Sequence, residues 1–322
     1  MRIFNIKRIF ISLIFIGIIG TALFISETPF ITADYTDDED IVISRQYPYT
    51  PMEKTYVDLR PDELHSYSAI LIRLHDDKIF IDKNKKHRTY PASLTKIMTV
   101  IVAIEELDDL DLRIRLDESI FPDLYLANAS LSGFLPGEQV KAIDLLYGAM
   151  LLSGAESCIG LANEIAGSEE EFVGLMNSKA KELEMFNTHF MNTTGLHHDY
   201  HYSSVEDMSK LLKYALNNET FTEIFNSSTY TTEKNQVNPE GRTFNSTMTM
   251  KLGNQRIFDG EFLGGKTGYT GTAGLCLASL SLVDGEEYML ITVGAQGSLR
   301  TEQFNISDAL TVYNNIKKSP IN

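Results

Sequence analysis

Strand-like segments lie near both ends of this chain, and a long helical region separates them. Residues 66–74 and 78–81 are largely apolar, flank His75-Asp76-Asp77 and predict a β-hairpin. Near the C-terminus lie three further strand-like segments, residues 261–265, 274–283 and 288–293. Helical patterns fill much of the interval, over residues 93–104, 141–152, 155–165, 169–184 and 204–216. We therefore expect one sheet assembled from both ends of the chain and covered by helices, an α/β sandwich with long-range strand pairing.

The remaining segments carry weaker patterns. Residues 113–116 and 125–131 resemble short strands, and residues 228–260 are polar with strand-like alternation. A final helix is expected over residues 301–317. The 322 residues, 43% of them hydrophobic, suffice for one large domain or two small ones.

Charge and cysteine content exclude some classes of protein. The formal net charge of −16 argues against a nucleic-acid partner, because phosphate binding needs clustered lysines and arginines. The short basic segment 83–88 is interpreted as a solvated turn. Cys158 and Cys276 each lie in an apolar run, so they are expected to be buried and to form no disulfide framework.

The N-terminus has the pattern of an exported protein. Basic residues precede Ile9–Ile25, which carries no charge and would span about 26 Å as a helix. No small-x-small cleavage site closes this run, so a signal anchor over residues 1–27 is favoured over a cleaved signal peptide. Residues 28–58 are expected to form an acidic linker, and residues 59–322 an extracytoplasmic domain tethered to the membrane by the anchor.

Chemistry is suggested first by Ser93 and Lys96, at the start of the helix predicted over 93–104. Serine at a helix start is ordinarily an N-cap, whose hydroxyl accepts a bond from a free backbone N–H. The same position suits a nucleophile, because a lysine one helical turn later lies on the same face. A neutral lysine in a closed site can accept the serine proton.

Two further segments extend this hypothesis. Residues 264–271 place Lys266 and Thr267 among glycines at the end of a strand, where backbone N–H groups can bind an oxyanion or a carboxylate. A glycine-rich turn with an exposed lysine is the alternative. Ser153, followed by Gly154 between two predicted helices, would by itself be a cap or turn residue.

In this order, residues 93–96 (S-x-x-K), 153–155 (S-G-A) and 266–268 (K-T-G) resemble the serine penicillin-binding and β-lactamase superfamily. The nearer match is the low-molecular-weight D-alanyl-D-alanine carboxypeptidases of bacterial cell walls. Further stretches resemble that family at residues 90–98, 171–180, 187–190, 192–196, 201–203 and 264–275. The resemblance, over about residues 66–318, implies a DD-peptidase/β-lactamase-like sandwich whose central antiparallel sheet has helices on both faces.

The resemblance also implies catalytic roles. Ser93 is similar to the nucleophile that attacks the carbonyl of the penultimate D-alanine, and Lys96 to its general base. Ser153 resembles the serine that relays a proton between lysine and leaving group. The backbone N–H groups of Ser93 and Tyr269 would form the oxyanion hole.

Substrate binding is implied for one strand and one distant arginine. Lys266 and Thr267, with the backbone of Gly268, resemble the group that holds the terminal carboxylate. Arg300 is similar in placement to an additional carboxylate-binding arginine of the family. The alternative for Arg300 is a solvated loop residue.

One position departs from the family pattern. The second motif of the family ends in asparagine, and this chain has Ala155 there. The side-chain amide is absent, and the neighbouring Glu156 does not replace its donors. Water or a neighbouring side chain could substitute, the enzyme could be slow or altered in specificity, or the site could bind without turnover. The first two explanations are favoured, because the other motif residues remain.

The histidines support a rival reading, since some extracellular D,D-peptidases use zinc. Four potential ligands lie close together, His197, His198, Asp199 and His201. The spacing suits a helix, whereas Gly195 and Tyr200 indicate a loop, so metal catalysis is disfavoured. No metal or other cofactor is expected.

The sequence thus predicts a membrane-tethered serine D,D-carboxypeptidase that removes the terminal D-alanine of the peptidoglycan pentapeptide stem through an acyl-enzyme. β-Lactams are expected to acylate Ser93. One alternative is a β-lactamase, disfavoured because no E-x-x-L-N stretch lies between the second and third motifs. The other is a degenerate protein that binds penicillin or muropeptides with little turnover.

Overall fold

The computed structural model describes residues 30–33, 43–46, 53–235 and 237–320. The strands are β1 Phe30–Ala33, β2 Ile43–Gln46, β3 Glu53–Val57, β4 Ser68–Arg73, β5 Lys78–Lys83, β6 Arg113–Arg115, β7 Gln139–Lys141, β8 Thr229–Thr231, β9 Thr243–Asn245, β10 Gly260–Thr270, β11 Gly274–Val283, β12 Glu286–Ala295 and β13 Ile316–Pro320. The α-helices are α1 Lys96–Glu106, α2 Phe121–Leu126, α3 Ala142–Leu151, α4 Ala155–Ala166, α5 Glu169–Glu182, α6 Val205–Ala215, α7 Glu219–Asn226, α8 Thr247–Leu252 and α9 Phe304–Asn314.

A five-stranded antiparallel sheet joins the two ends of the chain, as predicted. Its strand order is β10-β11-β12-β4-β5. The long-range pairing is that of β12 with β4, in which Ile291 lies opposite Ile70. The predicted hairpin becomes β4 and β5, and the C-terminal strand group becomes β10, β11 and β12.

Helices cover both faces of this sheet, which confirms the predicted fold class. Side chains of a strand alternate between faces. Ile70 and Ile72 of β4 accordingly belong to a core shared with α1 and α3–α7, whereas Ala69 and Leu71 belong to a second core with α8 and α9. The residues that the sequence predicts to be catalytic lie between the larger helical layer and the edge strand β10.

Most predicted helices are found, and three local predictions are wrong. Residues 125–131, predicted as a strand, contain the end of α2 and a turn, since Pro122 is suited to the first turn of a helix. The final helix is shorter than 301–317, because residues 316–320 form β13 and pair with β3. Between β9 and β10 the predicted strand-like region instead contains α8.

The N-terminal predictions fall mostly on residues outside those described. The predicted anchor, residues 1–27, lies outside them, as does much of the predicted linker, residues 28–58. Within that linker β1 and β2 pair antiparallel with each other. Across the part of the chain that the structure describes, no helix has both the length and the apolar character to cross a membrane.

Asp308 of α9 connects the outer helix to the segment before β4. Its buried carboxylate accepts bonds from the backbone N–H groups of His65 and Ser66, at 2.9 and 2.8 Å, and from the Ser66 hydroxyl at 2.6 Å. Three donors thus depend on one side chain. A donor that is buried without an acceptor destabilises the folded protein.

We expect Asp308→Ala to lower the free energy of unfolding by about 3 kcal/mol, because it leaves these donors unpaired. Urea unfolding followed by circular dichroism measures this change. Ser307→Ala on the same helix is the matched control, and we expect it to change stability by less than about 1 kcal/mol. Equal effects of the two substitutions would contradict this account of Asp308.

Candidate active site

Ser93 lies in a 3-10 turn, Ala92–Thr95, that directly precedes α1. The helix begins at Lys96, and its N-cap residue is Thr95. The alternative that Ser93 caps the helix is therefore wrong. Its hydroxyl oxygen instead lies 3.3 Å from the side-chain nitrogen of Lys96.

Two glycines enclose this turn. A Cβ atom on Gly195 would lie 1.9 Å from the carbonyl oxygen of Ala92, and one on Gly268 would lie 3.1 Å from the backbone nitrogen of Ser93. Gly195 also has φ +78°, a conformation that other residues rarely adopt. The turn that carries Ser93 is thus held between the loop around residue 195 and the edge strand β10.

Lys96 is 2% exposed and has two polar contacts, both close to the nucleophile candidate. Besides contacting Ser93, its amine donates a hydrogen bond to the carbonyl oxygen of Thr194. Burial lowers the pKa of Lys96, although Cys158, Glu156 and Glu169 act in the opposite direction. Burial thus favours the neutral amine, the form that accepts a proton from the Ser93 hydroxyl.

The segment 192–196 supplies the carbonyl that positions Lys96. The side-chain oxygen of Asn192 accepts bonds from the backbone N–H groups of Thr194 and Gly195, at 3.2 and 2.7 Å, which folds the segment into a tight turn. Thr99 of α1 donates to the carbonyl oxygen of Thr193 at 2.7 Å, and this bond joins the turn to the helix that bears Lys96.

Strand β10 brings the third motif to the same place. Lys266 is fully buried and donates to the carbonyl oxygen of Thr267 at 3.0 Å. Burial, together with the nearby Lys96, lowers the pKa of Lys266 well below the ordinary lysine value. The Thr267 hydroxyl is paired with that of Thr247 at 2.9 Å.

The second motif precedes α4. Ser153 is buried with φ +64°, and its hydroxyl makes no hydrogen bond to any described residue. Ala155 follows, and its backbone N–H donates to the carbonyl oxygen of Ser130 at 2.8 Å. Glu156 is buried, which raises its pKa, and its carboxyl accepts bonds from the N–H groups of Gly133 and Phe134.

A cavity of about 460 Å³ opens above these groups. Of the sequence candidates, Ser93, Lys96, Ala155 and Tyr269 line it, whereas four others lie outside the lining: Ser153, Lys266, Thr267 and Gly268. Its other lining residues are Ala127, Asn128, Ala129, Ser130, Thr194, Gly195, Leu196, His197, Thr270, Gly271 and Leu299.

A sequence profile of the D-alanyl-D-alanine carboxypeptidases, peptidase family S11, matches residues 55–297. The chain belongs to this family. Membership confirms the resemblance predicted from the three motifs.

Curated relatives extend the comparison. The chain is 35% identical over 230 residues to D-alanyl-D-alanine carboxypeptidase DacF of Bacillus subtilis (strain 168), covering 71% of this chain and 57% of that one. With DacA of Escherichia coli (strain K12) it is 35% identical over 188 residues, covering 56% and 43% respectively. The chain thus spans about half the length of these relatives. The crystal structure of the Streptomyces K15 DD-transpeptidase matches with a TM-score of 0.70 and 24% identity, covering 78% of this chain and 97% of that one, and supports the fold alone.

Arg300, a substrate-binding candidate in this S11 family member, is exposed on the loop after β12. Its neighbour Leu299 lines the cavity, and Arg300 itself does not. Among the described residues its only hydrogen bond runs from the backbone N–H to the Ser298 hydroxyl, at 3.3 Å. Its role in holding a carboxylate stays a prediction.

Of the four possible zinc ligands in this S11 family member, His197 and Asp199 contact each other at 3.5 Å, and His201 is buried. Both ring nitrogens of the buried His201 are engaged, one with the Thr95 hydroxyl at 2.8 Å and the other with the backbone N–H of Met191 at 3.2 Å. Burial lowers the pKa of His201 to about 3, so the ring is neutral at neutral pH. Within residues 53–235 and 237–320 no three His, Cys, Asp or Glu side chains converge as metal ligands.

Sequence reasoning missed part of the cavity wall. Asn128, Ala129 and Ser130 follow α2, and the wrong strand prediction for residues 125–131 hid this turn. Asn128 has φ +49°, and asparagine tolerates this left-handed conformation better than most residues. An asparagine soon after a helix end was the signal that could have revealed it.

The lowered pKa of Lys96 predicts a pH dependence. As pH rises through that pKa the amine becomes neutral, so acylation of Ser93 by a penicillin should accelerate and then level off. We expect the midpoint below the pKa of an ordinary lysine, measured by stopped-flow or gel labelling across pH. Lys96→Gln should remove this rise and slow acylation about 10²–10⁴-fold. A midpoint at or above the ordinary lysine value would contradict the role of burial.

Proposed function

We propose that this protein is a serine D,D-carboxypeptidase that removes the terminal D-alanine from the peptidoglycan pentapeptide stem. The observation that carries the proposal is the Ser93–Lys96 pair, in which a buried amine of lowered pKa lies 3.3 Å from a hydroxyl at the cavity. Family membership supports the reaction class, and the relatives DacF and DacA bear the name D-alanyl-D-alanine carboxypeptidase.

The proposed reaction passes through an acyl-enzyme. Ser93 Oγ forms a bond to the carbonyl carbon of the penultimate D-alanine, while its proton passes to the neutral amine of Lys96. The peptide C–N bond then breaks, and the leaving D-alanine takes up that proton. A water molecule hydrolyses the ester, which releases the shortened stem and restores the Ser93 hydroxyl. Ser153 is the proposed proton relay.

Electrostatics support a substrate that ends in a carboxylate. Lys96 and Lys266 are both buried, and the nearby Lys96 disfavours the charge on Lys266. A negative group bound beside these lysines would lower this cost, because opposite charges attract strongly at low dielectric. We assign the terminal carboxylate to Lys266, Thr267 and the backbone of Gly268, with the oxyanion at the N–H groups of Ser93 and Tyr269.

The proposal includes location and inhibition. The apolar run Ile9–Ile25 after basic residues supports attachment to the membrane with the catalytic part outside the cytoplasm. β-Lactams are the proposed inhibitors, as mimics of the D-alanyl-D-alanine terminus.

A second candidate function is penicillin or muropeptide binding with little turnover. Two observations favour it. Ala155 presents no polar side chain to the cavity, and the Ser153 hydroxyl makes no hydrogen bond to a described residue. Turnover measurements distinguish the two functions.

Ser93→Ala should abolish covalent labelling by a fluorescent penicillin and release of D-alanine from a pentapeptide. The reason is that no other hydroxyl contacts Lys96 among the described residues. Gel fluorescence and a D-alanine assay measure the two effects, and Ser130→Ala in the cavity wall is the control that retains labelling. Wild-type protein that takes no label would refute the proposal, and labelling without D-alanine release would favour the binding protein.

Ala155→Asn should leave acylation unchanged or accelerate it, because the backbone around Ala155 is already held by its bond to Ser130. The added amide supplies donors and an acceptor to a peptide in the cavity. The second-order rate constant of penicillin acylation and kcat/KM for a pentapeptide measure the change. A marked decrease in both would mean that the site is built around alanine.

A further inference from the structure

A stripe of aromatic and basic side chains leads away from the cavity. The His197 ring, which lines the cavity, lies edge to face with Tyr90 at 4.7 Å between centroids. The Arg88 guanidinium lies over the Tyr202 ring at 4.5 Å, and Tyr202 is followed by His189 at 6.1 Å. We define these five residues as the aromatic stripe.

Backbone pairing explains why these side chains share one surface. Thr89 exchanges both backbone hydrogen bonds with Ser203, at 2.7 and 2.9 Å, and His189 does the same with Tyr202. Side chains alternate along such extended segments. The neighbours of the Thr89–Ser203 pair, Arg88 and Tyr202, therefore lie on the opposite side from it, where they stack on each other.

Arg88, like Arg256 and Arg300, contacts no carboxylate among the described residues. Five others contact a carboxylate within 4 Å: Arg60, Arg73, Arg113, Arg115 and Arg242. Arg88 is exposed and has no carboxylate or hydrogen-bond acceptor as a partner among the described residues. Its planar face is fixed on Tyr202, which leaves its N–H groups available for a planar anion.

We propose that Arg88, supported by Tyr202 and Tyr90, forms a subsite for a carboxylate of the peptide stem, beyond the D-alanyl-D-alanine terminus. This inference rests on the proposed function. A carboxypeptidase substrate ends inside the cavity, so the rest of its stem must leave along a wall, and the stripe begins at the lining residue His197. A γ-linked glutamyl residue of the stem leaves its α-carboxylate free.

A peptide stem bound at Ser93 is long enough to reach Arg88. Arg88 precedes Ser93 by five residues, so their Cα atoms lie within about 18 Å even if the chain between them were fully extended. A stem of several residues covers that range. The tyrosine rings offer apolar contact to the aliphatic parts of the stem, while Arg88 selects for charge.

The test compares two ligands and four proteins by calorimetry. The ligands are a pentapeptide stem with a free glutamyl α-carboxylate and the same stem with that group converted to a carboxamide. All proteins carry Ser93→Ala, so no turnover intervenes. One protein has no further change, and the other three add Arg88→Ala, Arg88→Lys or Arg256→Ala. Arg256 is another exposed arginine that has no carboxylate partner among the described residues.

We expect Arg88→Ala to raise Kd about three- to tenfold for the carboxylate stem and to leave Kd for the carboxamide stem unchanged. Arg88→Lys should give a smaller increase, because it keeps the charge and loses the planar stack. Arg256→Ala should have no effect on either ligand. An equal loss for both stems, or no loss for either, would overturn the subsite.

A second measurement distinguishes failure of the Arg88 subsite from failure of the proposed carboxypeptidase reaction. Penicillin labelling of Ser93 in the Arg88→Ala protein tests the nucleophile, and we expect the wild-type rate. Loss of stem selectivity with normal labelling would refute the subsite alone. Absence of labelling in wild-type protein would refute the proposed reaction, while the calorimetric comparison still reports on Arg88.

Discussion

The close packing of the turn Ala92–Thr95 between Gly195 and Gly268 is the constraint on which the site depends. A side chain at residue 195 cannot fit against the turn, since a Cβ on Gly195 would lie 1.9 Å from the Ala92 carbonyl oxygen, and one on Gly268 would be tight at 3.1 Å from the Ser93 nitrogen. Ala92 itself has φ +48°, an uncommon conformation for a residue with a side chain. The tertiary contacts therefore impose the turn, and they place Ser93 beside β10 before any ligand binds.

The buried lysines follow from this packing. Once the turn and β10 are in contact, Lys96 and Lys266 both lie where water is excluded, and neither has a carboxylate within hydrogen-bond distance among the described residues. Backbone carbonyls and the Ser93 hydroxyl accept the hydrogen bonds that these two amines donate. This arrangement costs folding energy when the amines are charged and lowers their pKa values, so the same burial that destabilises the lysines makes Lys96 suitable as a base.

Sequence periodicity predicted the elements that depend on local pattern. The hairpin of β4 and β5, the three C-terminal strands and helices α3 to α6 each carry a periodic apolar pattern long enough to identify. Residues whose conformation depends on distant contacts were less accessible. Nothing local in the sequence indicates that the carbonyl oxygen of Thr194 accepts a hydrogen bond from Lys96, or that Ala92 and Ser153 adopt positive φ. The turn after α2 was missed because the last two residues of that helix, Tyr125 and Leu126, are apolar but exposed, so hydrophobicity did not indicate the helix end.

The position of Ala155 illustrates how the wall can keep its shape without the family's asparagine. The backbone of Ala155 is bonded to Ser130, and the buried carboxyl of Glu156 accepts bonds from Gly133 and Phe134. Gly154, the residue before Ala155, packs closely against Ser132. A larger residue would not fit there, because a Cβ on Gly154 would lie 1.7 Å from the Ser132 hydroxyl oxygen. Main-chain bonds and close packing, neither of which needs an amide at residue 155, thus position the segment. The substitution therefore changes which groups face a substrate, while the backbone of this part of the cavity wall keeps its bond to Ser130.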